Sequence, residues 1–269
     1  MNSSERVHLQ ARGALIVASG ISDPGRVRTD NQDSIYLDKE GHFALLADGM
    51  GGHERGAEAS QAVIEILQAH LQPELILSEL KDITNVEGVP SDILCLFSLV
   101  DKGVSKANSV LYDRNQKAGL ERYMGSTLVG LASFEIGHVI WFHVGDSRLY
   151  RWRDSKLQCI TNDHSVYAEW LRKGRSGKEP AKNIVTRAIG PKEGVVPDIE
   201  WEECRKDDTY ILCSDGLNDM LTDEEIADIL KSDNDVDDTA KRLVDEANEA
   251  GGKDNTSVVV CRVLISRAD

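Results

Sequence analysis

The stretch Ala44-Leu45-Leu46-Ala47-Asp48-Gly49-Met50-Gly51-Gly52-His53 constrains this chain more than any other. The run from His42 to Ala47 reads as a strand buried on both faces. It ends on a carboxylate, Asp48, and Gly49, Gly51 and Gly52 follow within four positions. Glycine lets the backbone approach a ligand closely and adopt positive φ. A strand that delivers an acid to its end, then a loop almost without side chains, then a helix, makes either a site or a tight turn that happens to hold an Asp. Repetition favours the site. A second apolar strand, Thr209–Cys213, runs into Ser214-Asp215-Gly216, and Asp254-Asn255 opens a third at Thr256–Val263.

The 269 residues suffice for a substantial core. A formal net charge of -15 argues against non-specific binding to nucleic acid or an anionic membrane, since both need a basic face. It leaves carboxylates to spare for cations. No apolar run approaches the length of a membrane helix. Ala14–Ile21 is short and leads into the turn Ser22-Asp23-Pro24-Gly25, so it reads as a core strand and not as a leader. The five Cys are scattered without a C-x-x-C pair and read as small buried hydrophobes of a reducing compartment. These features together point to a cytoplasmic protein.

Residues 1–12 read as a polar tail and residues 13–266 as one domain. Ser34–Leu37 and the His42–Ala47 strand form a hairpin through Lys39-Glu40-Gly41. Ala59, Val63, Ile66, Leu67 and His70 share one helical face, which Pro73 ends. Ile93, Phe97, Val100, Val104, Ala107 and Leu111 form a second helical stripe, made for packing. From Thr127 to Arg153 three strands read as a meander. Residues 163–191 break the pattern and read as a flap-like excursion on the surface. Thr222 to Glu225 is a capping box, the acidic run Asp233–Asp238 a solvated loop, and Ala240, Leu243, Val244 and Ala247 the apolar face of a last helix. Strands in antiparallel groups and helices in pairs predict an α+β layered domain, sheet on sheet with helices outside.

Four aspartates, Asp48, Asp146, Asp215 and Asp254, stand at the ends of apolar strands, each beside a small or polar residue. An acid at a core boundary is expensive unless it is paired or binds a metal. An all-oxygen set selects hard cations, Mg²⁺ or Mn²⁺; no His/Cys set with zinc spacing is present. A carboxylate-held metal pair is suited to phosphoryl-ester hydrolysis. Arg28, just before Asn31-Gln32-Asp33, offers the fork that grips a phosphate, and His53 is the candidate general acid.

The ordered set Arg28-x-x-Asn31-Gln32-Asp33, Asp48-Gly49-Met50-Gly51-Gly52-His53, Gly125-Ser126-Thr127, Gly145-Asp146-Ser147-Arg148, Asp163-His164-Ser165, Arg187-Ala188-Ile189-Gly190, Ser214-Asp215-Gly216-Leu217 and Asp254-Asn255-Thr256-Ser257 strongly resembles bacterial PPM-type protein phosphatases, the protein phosphatase 2C family. The resemblance covers nearly the whole chain. It implies a four-layer αββα sandwich, two stacked antiparallel sheets flanked by helix pairs. It implies two Mn²⁺ or Mg²⁺ ions, with a weaker third, and hydrolysis of phosphoserine and phosphothreonine in proteins by a water that bridges the pair. Carried over by position, Asp48 bridges both ions, the Gly49 carbonyl joins one, and Asp215 and Asp254 hold the second. Asp146 with Asp215 holds the third, Asp33 belongs to the metal site, and Arg28 binds phosphate. The implied partners are a Ser/Thr kinase and its phosphorylated targets, and the expected state is a monomer. Two positions depart from the pattern: Gln32 stands where some members carry Glu, and Met50 where a His commonly follows Asp-Gly. Two other readings use the same residues: a catalytically silent phosphoprotein-binding module, and a phosphatase of small phosphate esters.

Overall fold

β4 (Phe43–Met50) carries the architecture in miniature. Phe43, Leu45 and Ala47 join an apolar cluster shared with helices, whereas Ala44 and Leu46 join one shared with strands of another sheet. Successive side chains of a strand face opposite ways, so a strand apolar at every position is buried between two layers. β12 (Thr256–Val263) repeats the device: Val258 and Val260 face helices, Val259 and Cys261 face the other sheet.

The structure, a computed structural model, describes residues 6–13, 15–51, 54–73, 75–76, 89–119, 123–134, 137–232 and 235–265. One sheet has the order β1 (Val7–Arg12), β2 (Ile16–Asp23), β12, β11 (Thr209–Cys213), β8 (Arg148–Arg153), β9 (Lys156–Cys159). The other runs β10 (Asp198–Glu203), β7 (His138–Val144), β6 (Leu128–Ala132), β4, β3 (Asp33–Leu37), and β5 (Gly125–Ser126) pairs with the end of β4. All pairings in both sheets are antiparallel. Helices α1 (Glu54–His70) and α2 (Ser91–Ala118) cover the outer face of the second sheet through Val63, Leu67, Val100 and Val104. The first sheet is covered by α5 (Asp223–Ser232) and α6 (Val236–Glu249) through Ile226, Ala240, Leu243 and Val244. Short helices α3 (Val166–Arg172) and α4 (Asp215–Asn218) lie in the connections. The expected αββα sandwich is the observed fold.

Three local expectations change. Val7–Arg12 is an edge strand paired along β2 and not a tail, because Leu9 and Ala11 alternate with polar residues and place an apolar face on the core between the sheets. The three-strand meander does not stay in one sheet: β6 and β7 pair in the second, and the turn Gly145-Asp146-Ser147 carries the chain across to β8 in the first. Strands buried on both faces satisfy either sheet, so periodicity did not choose. Within the acidic run, Asp235 caps α6 by accepting from Asp237 N, and the helix starts at Val236. The capping box stands, with Thr222 N donating to Glu225 Oε2 at 2.8 Å and Glu225 N to Thr222 Oγ1 at 3.3 Å.

Candidate metal centre

The acids meet because antiparallel pairing brings unlike strand ends together. Asp33 opens β3 and Asp48 lies near the end of β4, directly opposed in register. Asp215 follows β11 and Asp254 precedes β12, whose Cys213 and Val258 pair. Asp146 sits in the crossing from β7 to β8. Asp48, Asp146, Asp215 and Asp254 line one cavity of about 660 Å³, together with Arg28, Gln32, Gly49 and Met50.

Backbone bonds hold these acids in place. Thr127 clamps Asp48: its Oγ1 accepts from Asp48 N at 2.9 Å, its N donates to Asp48 O at 2.8 Å, and Ser126 Oγ adds a bond to the same carbonyl at 3.0 Å. Thr127 Oγ1 also meets Ser147 Oγ at 2.7 Å, which joins the Asp48 strand to the Asp146 turn. Gly49 is glycine for want of room, since a Cβ there would collide with the Gly56 carbonyl. Asn255 accepts from Gln32 N at 2.9 Å and donates to the carbonyls of Pro24 and Asp30, so the Arg28 loop is tied to the Asp254 turn.

The electrostatics are those of a site short of positive charge. Burial, then Asp33, Asp215, Asp146 and Asp254 in turn, push the Asp48 carboxyl well above its ordinary range. Asp215 is raised likewise by burial and then by Asp146 and Asp254. Asp146 is pushed up to about 6 by burial and by Asp163. Among the described residues, the lining holds one cationic side chain, Arg28, whose Nη2 donates to Asp254 at 2.7 Å. Nearby like charges and low dielectric disfavour ionisation, and a bound divalent cation inverts that logic. The donors are all oxygen, which suits Mg²⁺ or Mn²⁺. They converge on one cavity wall. These residues fit the expected ions.

Of the predicted residues, Asp48, Gly49, Asp146, Asp215, Asp254 and Arg28 come together here. Asp33 does not reach the cavity wall. It is buried beside Asp48, its cross-strand partner, where its Oδ2 accepts from Ser214 Oγ at 2.8 Å and burial pushes its carboxyl up to about 6. His53, the candidate acid, lies outside the described residues. Sequence reasoning missed Asp219, which lines an adjoining cavity with Asp146 and Asp215. Its position four residues after Asp215, one helical turn, was the available signal. From residues 163–191, Asn183, Ile184 and Val185 line one of these cavities, and Tyr167 and Lys182 the other.

Comparison with known proteins bears on the same residues. A protein-family profile described as Protein phosphatase 2C matches residues 26–253. The serine/threonine protein phosphatase PstP of Mycobacterium tuberculosis is 35% identical over 250 residues, 90% of this chain and 44% of that protein. The chain therefore spans less than half the length of that relative. The serine/threonine phosphatase stp of Listeria welshimeri is 32% identical over 249 residues, 89% of this chain and 92% of that protein. A solved catalytic domain of PstP in complex with two manganese ions superposes with a TM-score of 0.74 at 34% identity, covering 93% of this chain and 99% of that one.

Proposed function

The chain belongs to the protein phosphatase 2C family, and from that premise we propose that it hydrolyses phosphoserine and phosphothreonine in proteins with the help of Mn²⁺ or Mg²⁺. The observation that carries this reading is the convergence of Asp48, Asp146, Asp215 and Asp254 on one cavity beside Arg28. When bound, a pair of ions supplies Lewis acidity toward phosphate oxygens and activates water. The protein's part is to hold and orient. Asp48, the Gly49 carbonyl, Asp215 and Asp254 hold the pair, and Asp146 with Asp215 and Asp219 holds a third ion. Asp33 acts one layer back, at Asp48 and Ser214. Arg28 spends one of its donors on Asp254, and the remaining N–H groups of the guanidinium serve a phosphate. His53 is the acid for the leaving alkoxide.

The finer reading follows from the same family. We take the sandwich, β1 included, as a single phosphatase domain with 163–191 as its flap, working as a cytoplasmic monomer that reverses a bacterial Ser/Thr kinase. No helix among the described residues is long and apolar enough to cross a membrane. The silent-module reading is disfavoured because Asp48, Asp215 and Asp254 are all retained. The decisive assay follows release of phosphate from a phosphothreonine peptide with Mn²⁺, with EDTA and with Asp215→Asn. Turnover that needs metal and collapses in the variant is expected. Turnover that persists in EDTA would defeat the proposal, as would a folded wild type that is inert with both Mn²⁺ and Mg²⁺.

A further inference from the structure

Away from the cavity acids, His143, His164 and Asp198 bring ligand atoms within 4.8 Å of one another. A His₂Asp triplet invites a transition-metal reading, and the hydrogen bonds argue against it. The backbone N–H of Gly145 donates to His164 Nδ1 at 3.0 Å. That places the proton of the neutral ring on Nε2, which donates to Asp198 Oδ2 at 3.1 Å. A cation at Nε2 would have to expel this proton and leave an imidazolate. It would also compete for Asp198 with the Arg187 guanidinium, which is bonded to that carboxylate. His143 stacks on His164 with ring centroids 4.5 Å apart and engages the Asn162 carbonyl through Nε2 at 3.0 Å.

The same bonds describe a brace. His164 grips Gly145 twice, by its ring and by its own N–H, which donates to Gly145 O at 2.9 Å. On the other side, Thr127 leaves no space: a Cβ at Gly145 would meet Thr127 Cγ2 at 2.6 Å, and the residue has φ +109°. The Gly145-Asp146 turn is thus wedged between His164 and Thr127, and Thr127 is the residue that clamps Asp48. We propose that His164 is a positioning residue for cation binding: its Nδ1 fixes the Gly145 amide and thereby the Asp146 carboxylate, and Asp198, held by Arg187 of the 163–191 segment, fixes the tautomer that makes Nδ1 an acceptor. The inference rests on Asp146 being a cation ligand. His164 and Arg187 both belong to the 163–191 segment, so that segment bears on the ligand through His164 and Gly145, with Asp198 and Arg187 holding the His164 ring from behind.

The test is calorimetric titration of Mn²⁺ into wild type, His164→Asn, His164→Gln and Asp198→Ala, with melting temperatures in EDTA as the folding control. Asn carries an acceptor on Cγ, where Nδ1 sits; Gln moves it one bond outward, toward Asp198. Residues that orient metal ligands from behind change metal affinity by roughly 10–100-fold when replaced. The weakest class of Mn²⁺ sites should weaken about tenfold in His164→Gln and stay within roughly threefold of wild type in His164→Asn. Equal affinities in these two variants overturn the proposal. Asp198 has a partly exposed side chain, so Asp198→Ala serves should His164→Gln not fold. Weaker Mn²⁺ binding there supports the brace, and wild-type binding overturns it. Wild type that binds Mn²⁺ yet leaves phosphothreonine intact would defeat the phosphatase reading and leave the brace standing.

Discussion

Asp23 and Asp146 are aspartates of nearly equal burial, 7% and 9% exposed, at the boundary of the same sandwich. Asp23 accepts from Arg6 Nε at 2.6 Å, Gly25 N at 2.9 Å and Asn248 Nδ2 at 3.1 Å. Burial pushes its carboxyl up, and these donors outweigh burial and hold it below the ordinary value. At Asp146 burial comes first, joined by Asp163 and Asp219; its own backbone N–H and Arg148 oppose them without prevailing, so it is raised to about 6. Asp33, at 8% exposure, is raised in the same way. Surface exposure alone therefore does not separate these acids; the donors around each carboxylate do much of it. Asp23 finds its counter-charge within the chain. The cavity acids are arranged for one that comes from solution.

The comparison breaks most decisively at Asp48. Asp48→Asn should cut Mn²⁺-dependent hydrolysis roughly 10³-fold, since a few kcal/mol of Lewis-acid stabilisation is lost and each 1.36 kcal/mol is tenfold. Asp23→Asn should leave kcat within about twofold, because Asp23 touches none of the cavity residues. Comparable losses in the two variants would erase the distinction drawn here.

The two classes should also answer pH with opposite sign. A carboxyl raised in the folded state contributes stability below its unfolded value of 3.8 and loses it as pH rises through about 6. Metal-free protein should therefore lose up to about 3 kcal/mol from Asp146 alone between pH 4 and 7. The lowered Asp23 contributes stability above 3.8 that is lost as pH falls through its folded value. Urea denaturation of metal-free protein from about pH 7 down to about pH 2 measures both. Asp146→Asn should flatten the neutral-side slope, and Asp23→Asn the acid-side slope; a wild-type slope in Asp146→Asn would contradict the assigned repulsion.

Supplying the missing partner is a slightly smaller effect. Mn²⁺ at 100 times its dissociation constant should stabilise the fold by about 2.7 kcal/mol per site, roughly 5–10 °C in Tm for a domain of this size. The gain should shrink toward pH 5, where protons compete for the acids. An unchanged Tm at pH 7.5 would count against cation binding at the cavity. The smallest effect belongs to the paired acid: Asp23→Asn should cost about 1–2 kcal/mol of stability in chemical denaturation, the worth of weakened charged hydrogen bonds, with no dependence on Mn²⁺.

Much of this was legible in residue order. Phe43–Ala47 and Val258–Cys261 are apolar at successive positions, which on a strand of period two requires a layer on each face. Gly49 and Gly145 marked places where backbone needs room or a positive φ, and the acids beside them marked the site. What the chain order did not carry is which distant strands are neighbours. Asp33 and Asp146 show this: each is an acid beside a polar strand end, yet register in β3 sets Asp33 beside Asp48, where it is buried, and Asp146 is delivered to the cavity because the chain changes sheets at Gly145. Asp219 was unremarkable until α4 gave it neighbours, and His164, quoted only within Asp163-His164-Ser165, had no role until the Gly145 turn met it. Periodicity is a local property, set by how a few residues divide between apolar and polar faces. Strand order, register and the meeting of acids some two hundred positions apart arise from long-range pairing, whose free energy is shared among contacts that no short window contains.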